Sequence, residues 1–199
     1  MDHPSEFTDI PAGKIAAIVT YLEMRAAPAA GRDAAPLPGE LRRVDEPDLD
    51  WYLDVYRHIG TDLLWFSRLA IPRTRLLSTF SDPDYKVYAL NCEGRDEALL
   101  ELDFRNKGEC ELAFFGVSPE FVGRGVGRAL MDKAIQLAWA EPIDRFWVHT
   151  CTLDHPRALA FYMRSGFTAY RRELEVADDP RLTGVLPREA APQIPIIEQ

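Results

Sequence analysis

Between Val117 and Leu130 the chain reads Val-Ser-Pro-Glu-Phe-Val-Gly-Arg-Gly-Val-Gly-Arg-Ala-Leu, with Gly123, Gly125 and Gly127 at alternate positions. Glycines spaced in this way let successive backbone N–H groups approach an anion without side-chain obstruction. A helix starting there would add roughly half a positive charge. The chemistry offered is the holding of a pyrophosphate, with Val122 and Val126 in the loop and Arg124 and Arg128 adding local positive charge. A dinucleotide fingerprint needs GxGxxG and fails at Arg128, and no Gly-Lys-Ser or Gly-Lys-Thr exists for a P-loop. The plainer alternative is a tight strand-to-helix turn that binds nothing.

Two side chains have the chemistry of a base. Glu111 lies six residues before Val117, and a half-buried carboxylate there could be raised toward neutrality and accept a proton. Glu101, Asp103 and Glu109 alternate along the same stretch, as the solvated face of a sheet also would. His149 is the second candidate, since an imidazole titrates near ~6.5; a packed strand histidine is the alternative. His149-x-Cys151 with His155 nearby lacks a compact fourth ligand, so no metal is expected. No GxSxG elbow is present, and Cys151 has little support as a nucleophile.

These residues need elements to position them. Lys14–Met24 is rich in β-formers and reads as a strand. Residues 26–39, with three prolines and two glycines, read as a surface loop. A short strand at 41–44 precedes a helix whose Leu49, Leu53, Tyr56 and Ile59 recur at helical spacing up to Gly60. Residues 63–69 read as a helix or an ordered loop. Strands at 85–91, 97–104 and 109–117 form an antiparallel meander. The glycine cluster opens a helix to about Ala140. A strand at 145–152, a helix at 156–165 stopped by Gly166 and a strand at 168–176 follow. The strand–helix–strand stretch 109–152 has the length of a right-handed crossover, which makes its two strands parallel neighbours. Only one strand follows the last helix, and the tail from Asp178 holds four prolines, so it cannot readily supply a partner. Lys14–Met24 is therefore expected to insert beside 168–176, with Tyr21 and Glu23 on one face; facing the cleft, Glu23 would be a cation contact.

The chain has 199 residues, 47% of apolar type and 28% charged, with a net charge of −9. That is enough for one folded domain, and the acidic balance disfavours nucleic acid and anionic membrane as partners. Three cysteines without a CxxC pair, no long apolar run and no leader-like N-terminus point to a reducing, cytoplasmic setting. The organisation expected is an N-terminal strand and loop over 1–39 packed on the core, a main domain over 40–177, and a proline-rich tail over 178–199 that wraps or frays.

The succession of strand, Ser-Pro-Glu, Val-Gly-Arg-Gly-Val-Gly, helix, strand and His155-Pro-Arg-Ala158-Leu-Ala-Phe-Tyr162-Met-Arg-Ser-Gly166-Phe167 resembles the GCN5-related N-acetyltransferase (GNAT) superfamily. The resemblance covers 85–170 closely and extends over about 40–170. The family's loop, [Q/R]-x-x-G-x-[G/A], is met at Gly125 and Gly127 with Val122 in the first position. The family's N-x-x-A-x-x-x-Y-x-x-x-G-F is met with His155 for Asn. By this resemblance acetyl-CoA is the acyl donor, held at Val122–Arg128, His155 and Ala158. The flanking parallel strands splay so that the pantetheine arm pairs near Phe115–Val117. Tyr162 is implied as the acid for the leaving thiolate, with a core tyrosine as the alternative, and Glu111 as the base. Trp65, Phe66 and Arg68 lie in the part of the family that covers the acceptor.

The expected fold is α/β, a mixed and mostly antiparallel sheet flanked by helices, with an extra N-terminal strand. The expected function is transfer of an acetyl group to a primary amine on a small molecule or peptide. A non-catalytic acyl-CoA-binding module and a protein N-acetyltransferase are the alternatives. A homodimer is compatible with the sequence.

Overall fold

The structure, a computed structural model, describes residues 7–28 and 36–198. Of the proline-rich loop at 26–39, residues 29–35 lie outside the described residues, as do 1–6 and Gln199. The strands are β1 (Lys14–Met24), β2 (Glu40–Val44), β3 (Tyr85–Cys92), β4 (Arg95–Asp103), β5 (Glu109–Val117), β6 (Arg145–Cys151) and β7 (Thr168–Asp178). They form one sheet in the order β2-β3-β4-β5-β6-β1-β7. Every pairing is antiparallel except β5 with β6. The helices are α1 (Leu49–Gly60), α2 (Ser67–Ala70), α3 (Arg73–Phe80), α4 (Val126–Trp139) and α5 (Ala158–Ser165), with 3-10 turns at Thr61–Leu63 and Pro119–Phe121.

Two apolar layers sandwich the sheet. On one face Leu130, Met131 and Ala134 of α4 and Tyr162 of α5 pack against Leu22, Leu100, Leu112, Phe146 and Val148. On the other, Leu49, Tyr52, Tyr56 and Ile59 of α1 join Leu76 and Phe80 of α3 over Val87 and Leu99. Asp48 caps α1 by accepting the N–H groups of Asp50 and Trp51, each at 3.0 Å. The stretch 63–69 holds only the short α2, and Pro72 starts α3 in place of ending a helix. That helix was not legible in the sequence because its eight residues bury only Leu76 and Phe80, too few for a visible period.

Strand β1 enters between β6 and β7, pairing antiparallel with both. Its alternation sends Leu22 and Met24 to the α4 face and Ile15 to the other. The tail wraps. Arg181, buried against Asp179 at 2.7 Å, also donates to the carbonyls of Ala190, Ala191 and Ile194, curling 179–194 around its guanidinium. Leu186, Ala190 and Ala191 then bury against Ile15 and Leu64, with Phe66 alongside. Among the described residues no helix is long and apolar enough to cross a membrane.

Removing β1 would strip two strands of a partner and uncover Leu22 and Met24. Deletion of residues 1–25 should abolish soluble, folded protein, assayed by circular dichroism and thermal melting. A truncated chain with a native-like cooperative melt would show β1 to be an appendage.

Candidate functional site

Parallel pairing between β5 and β6 is confined to Glu109–Glu111 against Arg145–Trp147. Beyond that the strands part. Across β4 the register slips, with Leu102 opposite Leu112 but Glu101 opposite Phe114, so Ala113 is an extra residue that bends β5. The edge of β5 from Phe115 to Val117 is thus left without a strand partner on the β6 side among the described residues, and a groove of about 600 Å³ runs along it.

Phe115, Val117, Val122, Gly123, Gly125, Gly127 and Arg128 line this groove on one side, and His155, Ala158 and Tyr162 on the other. Gly125 is the N-cap of α4 at φ +83°, a backbone setting that disfavours a side chain. Arg128 and Ala129 donate to the Gly125 carbonyl. The amides of Gly123, Gly125, Val126 and Gly127 have no acceptor among the described residues, and a Cβ at any of the three glycines would meet open space. Four free donors at a helix start form a cradle that an anion fits. The Val126 side chain turns into the core, so that residue offers only its backbone. Arg124 is absent from the groove wall, its guanidinium 5.8 Å from the Phe121 ring. Arg157 and Arg164 line the groove and were missed. They stand with Phe161 at the i, i+4, i+7 spacing of one helical stripe, a signal visible in the sequence.

Tyr162 is 7% exposed, and no described residue hydrogen-bonds its hydroxyl. Burial, then the nearby charge of Asp154, raises its pKa well above the ordinary phenol value. Phe115, Phe161 and Phe167 pack around its ring and fix it.

A second cavity, of about 180 Å³, adjoins the groove and shares Leu63, Trp65, Phe115, Asp154 and Tyr162 with it. Phe66 and His149 line it, together with Glu175 and Asp154, which the sequence reasoning did not single out. Asp154 carries no periodic or motif signal; its role arises from the turn after β6. It accepts from the Thr150 hydroxyl (2.7 Å), the Cys151 N–H (2.9 Å) and the Trp65 indole (3.3 Å). Glu111 lines neither cavity, but its Oε1 is 3.3 Å from His149 Nδ1. That carboxylate, against the opposing effect of desolvation, raises the imidazole above its ordinary pKa.

Two residues expected at the acceptor lie elsewhere. Arg68 is pulled under α1, 2.9 Å from the fully buried Glu101, which also accepts from Tyr52 and Tyr85. Glu23 is held by Arg145 at 2.7 Å and Arg25 at 2.9 Å and lines neither cavity. His58, Glu97 and Glu120 bring metal-ligand atoms together. Arg95 Nη2, 2.9 Å from His58 Nδ1, leaves Nε2 to donate to Glu97 at 3.0 Å and sets a positive charge against any cation there.

Trp65 is the wall between the two cavities, and Gly116 makes room for it. A Cβ on Gly116 would lie 2.6 Å from Ile59 Cγ2 and 2.8 Å from Trp65 Cη2. Gly116→Ala should therefore cost about 1–3 kcal/mol by overpacking, with Tm falling by about 2–4 °C per kcal/mol, and should shift tryptophan emission. An unchanged Tm and spectrum would show that Trp65 is not wedged there.

Residues 51–167 match the family model described as Acetyltransferase (GNAT) family. A mycothiol acetyltransferase of Beutenbergia cavernae is 35% identical over 99 residues, covering 48% of this chain and 32% of that protein. An uncharacterized N-acetyltransferase of Methanocaldococcus jannaschii is 26% identical over 137 residues, covering 64% of this chain and 59% of that one. The chain thus spans about a third and about three fifths of these relatives' lengths. The solved GCN5-related N-acetyltransferase of Sphaerobacter thermophilus superposes with a TM-score of 0.58 at 15% identity, over 81% of this chain and 51% of that one, which shows a shared fold. With more than half of its length matched by the family model, the chain belongs to the GNAT acetyltransferase family.

Proposed function

We propose that this protein transfers an acetyl group from acetyl-CoA to a primary amine, by direct attack of the amine nitrogen on the thioester carbonyl. The observation that carries this reading is the set of four acceptor-free amides at the head of a groove leading along the unpaired edge of β5 to Tyr162. A pyrophosphate suits those amides and the helix charge behind them, and Arg157 and Arg164 add cations in an acidic protein, while Arg128 lines the groove paired with Asp132 at 3.1 Å. An amide-bearing arm can take the edge that β6 leaves free at Phe115–Val117. A backbone N–H there is the candidate donor to the oxyanion. All three cysteines are free, which fits a reducing compartment such as the cytoplasm.

The amine would approach from the second cavity. Glu111 takes the Nδ1–H of His149, so Nε2 has the lone pair that accepts the amine's proton as the C–N bond forms. Collapse of the tetrahedral intermediate breaks the C–S bond, and the electron pair leaves on sulfur. Tyr162, whose raised pKa keeps it protonated, gives its proton to that thiolate as the C–S bond breaks. It is reprotonated from solvent while the His149 imidazolium releases the amine's proton, so the net products are the amide and the CoA thiol.

Tyr162→Phe should lower kcat ~10²–10⁴-fold while changing the KM for acetyl-CoA little, read by thiol release across a panel of amines. Near wild-type turnover would return Tyr162 to core packing.

The base must be neutral to act, so activity rises with pH through the pKa of His149. Because Glu111 raises that pKa, the acid limb of kcat/KM should lie above ~6.5. Glu111→Gln should move the limb to lower pH, a shift that titration of the amine itself cannot produce. A limb unmoved by this variant would remove His149 from the role of base.

A further inference from the structure

Carboxylates on this face of the sheet fall into two groups. Outside the second cavity three are paired with arginine, Glu23 and Glu109 with Arg145 and Glu173 with Arg171 and the Tyr21 hydroxyl, while Glu111 meets the imidazole of His149 at 3.3 Å. The two that line the cavity are not paired in this way. Among the described residues Asp154 receives only uncharged donors, from Thr150, Cys151 and Trp65. Glu175 has no ion-pair or hydrogen-bond partner among the described residues. Among the described residues no arginine or lysine lines the cavity. The negative field is felt inside it: after burial, Asp154 and then Glu175 help push the Cys151 thiol up to about 11. Tyr56, Phe66 and Phe114 supply the apolar part of the wall.

We propose that the acceptor is an organic dication, a diamine or polyamine, whose second ammonium group is bound by Glu175 while its first nitrogen is acetylated. This rests on the acetyltransferase reading above. The attacking nitrogen has to be neutral, so charge on the cavity wall cannot serve it; an uncompensated carboxylate is satisfied by a second nitrogen that stays protonated. Asp154 lies at the junction with the groove beside Tyr162, at the reacting end, and Glu175 lies on β7 beyond His149 and Cys151. Aromatic and aliphatic walls suit the methylene chain between the two nitrogens. An acceptor bearing a carboxylate at its far end would meet Glu175 with like charge and be rejected.

The test uses three ligands of one length: 1,4-diaminobutane, butylamine and 4-aminobutanoate. Binding of each to the full chain saturated with CoA is measured by calorimetry, and acetylation by thiol release. The diamine should bind at least tenfold tighter than butylamine, and 4-aminobutanoate weakest. Glu175→Gln should erase the preference for the diamine, and Glu175→Lys should reverse the order of diamine and 4-aminobutanoate. Glu175 is exposed on β7, so folding should survive both changes, and circular dichroism checks it. The same ranking in all three proteins, or equal binding of diamine and butylamine to wild type, overturns the proposal. Ranked binding without acetylation of any ligand would instead count against the acetyltransferase reading and leave the dication site standing.

Discussion

Two parallel strands that begin as partners and then part are the constraint on which the site depends. Strands β5 and β6 share pairing only at Glu109–Glu111, and the sheet is closed again on the far side by β1 and β7. An unpaired edge inside a folded sheet is costly unless something satisfies its polar groups. The bulge at Ala113, the small Gly116 and the Trp65 wedge all serve to keep that edge open and reachable. A ligand with amide groups is the natural complement to such an edge, and the glycine loop sits where the same ligand's charged end would fall.

Keeping Trp65 in place requires support from a segment with little regular structure of its own. Residues 61–70 contain only a 3-10 turn and the four-residue α2. They are anchored from three sides. Arg68 reaches the buried Glu101, which shares two tyrosine hydroxyls. The indole of Trp65 donates to Asp154 across the splay. Leu64 packs on Leu186, Ala190 and Ala191 of the tail. A buried ion pair gives little net stability but is expensive to break, which makes it a fixer of position more than a source of folding energy.

Sequence reasoning read the sheet nearly completely, because β-rich runs bounded by Gly, Pro and Asn are local signals. It also placed β1 correctly, by counting strands and noting that the proline-rich tail could not pair. The glycine loop, Tyr162 and the wall residues Trp65 and Phe66 were legible through spacing and motif. Arg68 was misjudged because its neighbours in sequence face the cavity, whereas Glu101, 33 residues away, captures its guanidinium. Glu23 was captured in the same way by Arg145, 122 residues away. Asp154 and Glu175 stayed hidden for the converse reason: what sets them apart is the lack of an arginine or lysine partner among the described residues, and that is a property of three-dimensional surroundings alone.

The insertion of β1 also orders events in time. Lys14 meets Asp178 across 164 positions of chain, and β1's other neighbour, β6, begins only at Arg145. During synthesis the segment KIAAIVTYLEM leaves the ribosome well before β6 and β7, its two partners. Contacts of such long range form slowly, and the waiting strand is an apolar, β-prone run of the kind that pairs with the wrong chain. Until β6 and β7 have been made, the protein must carry its closing strand unpaired, and its yield in a cell depends on how well that interval is guarded.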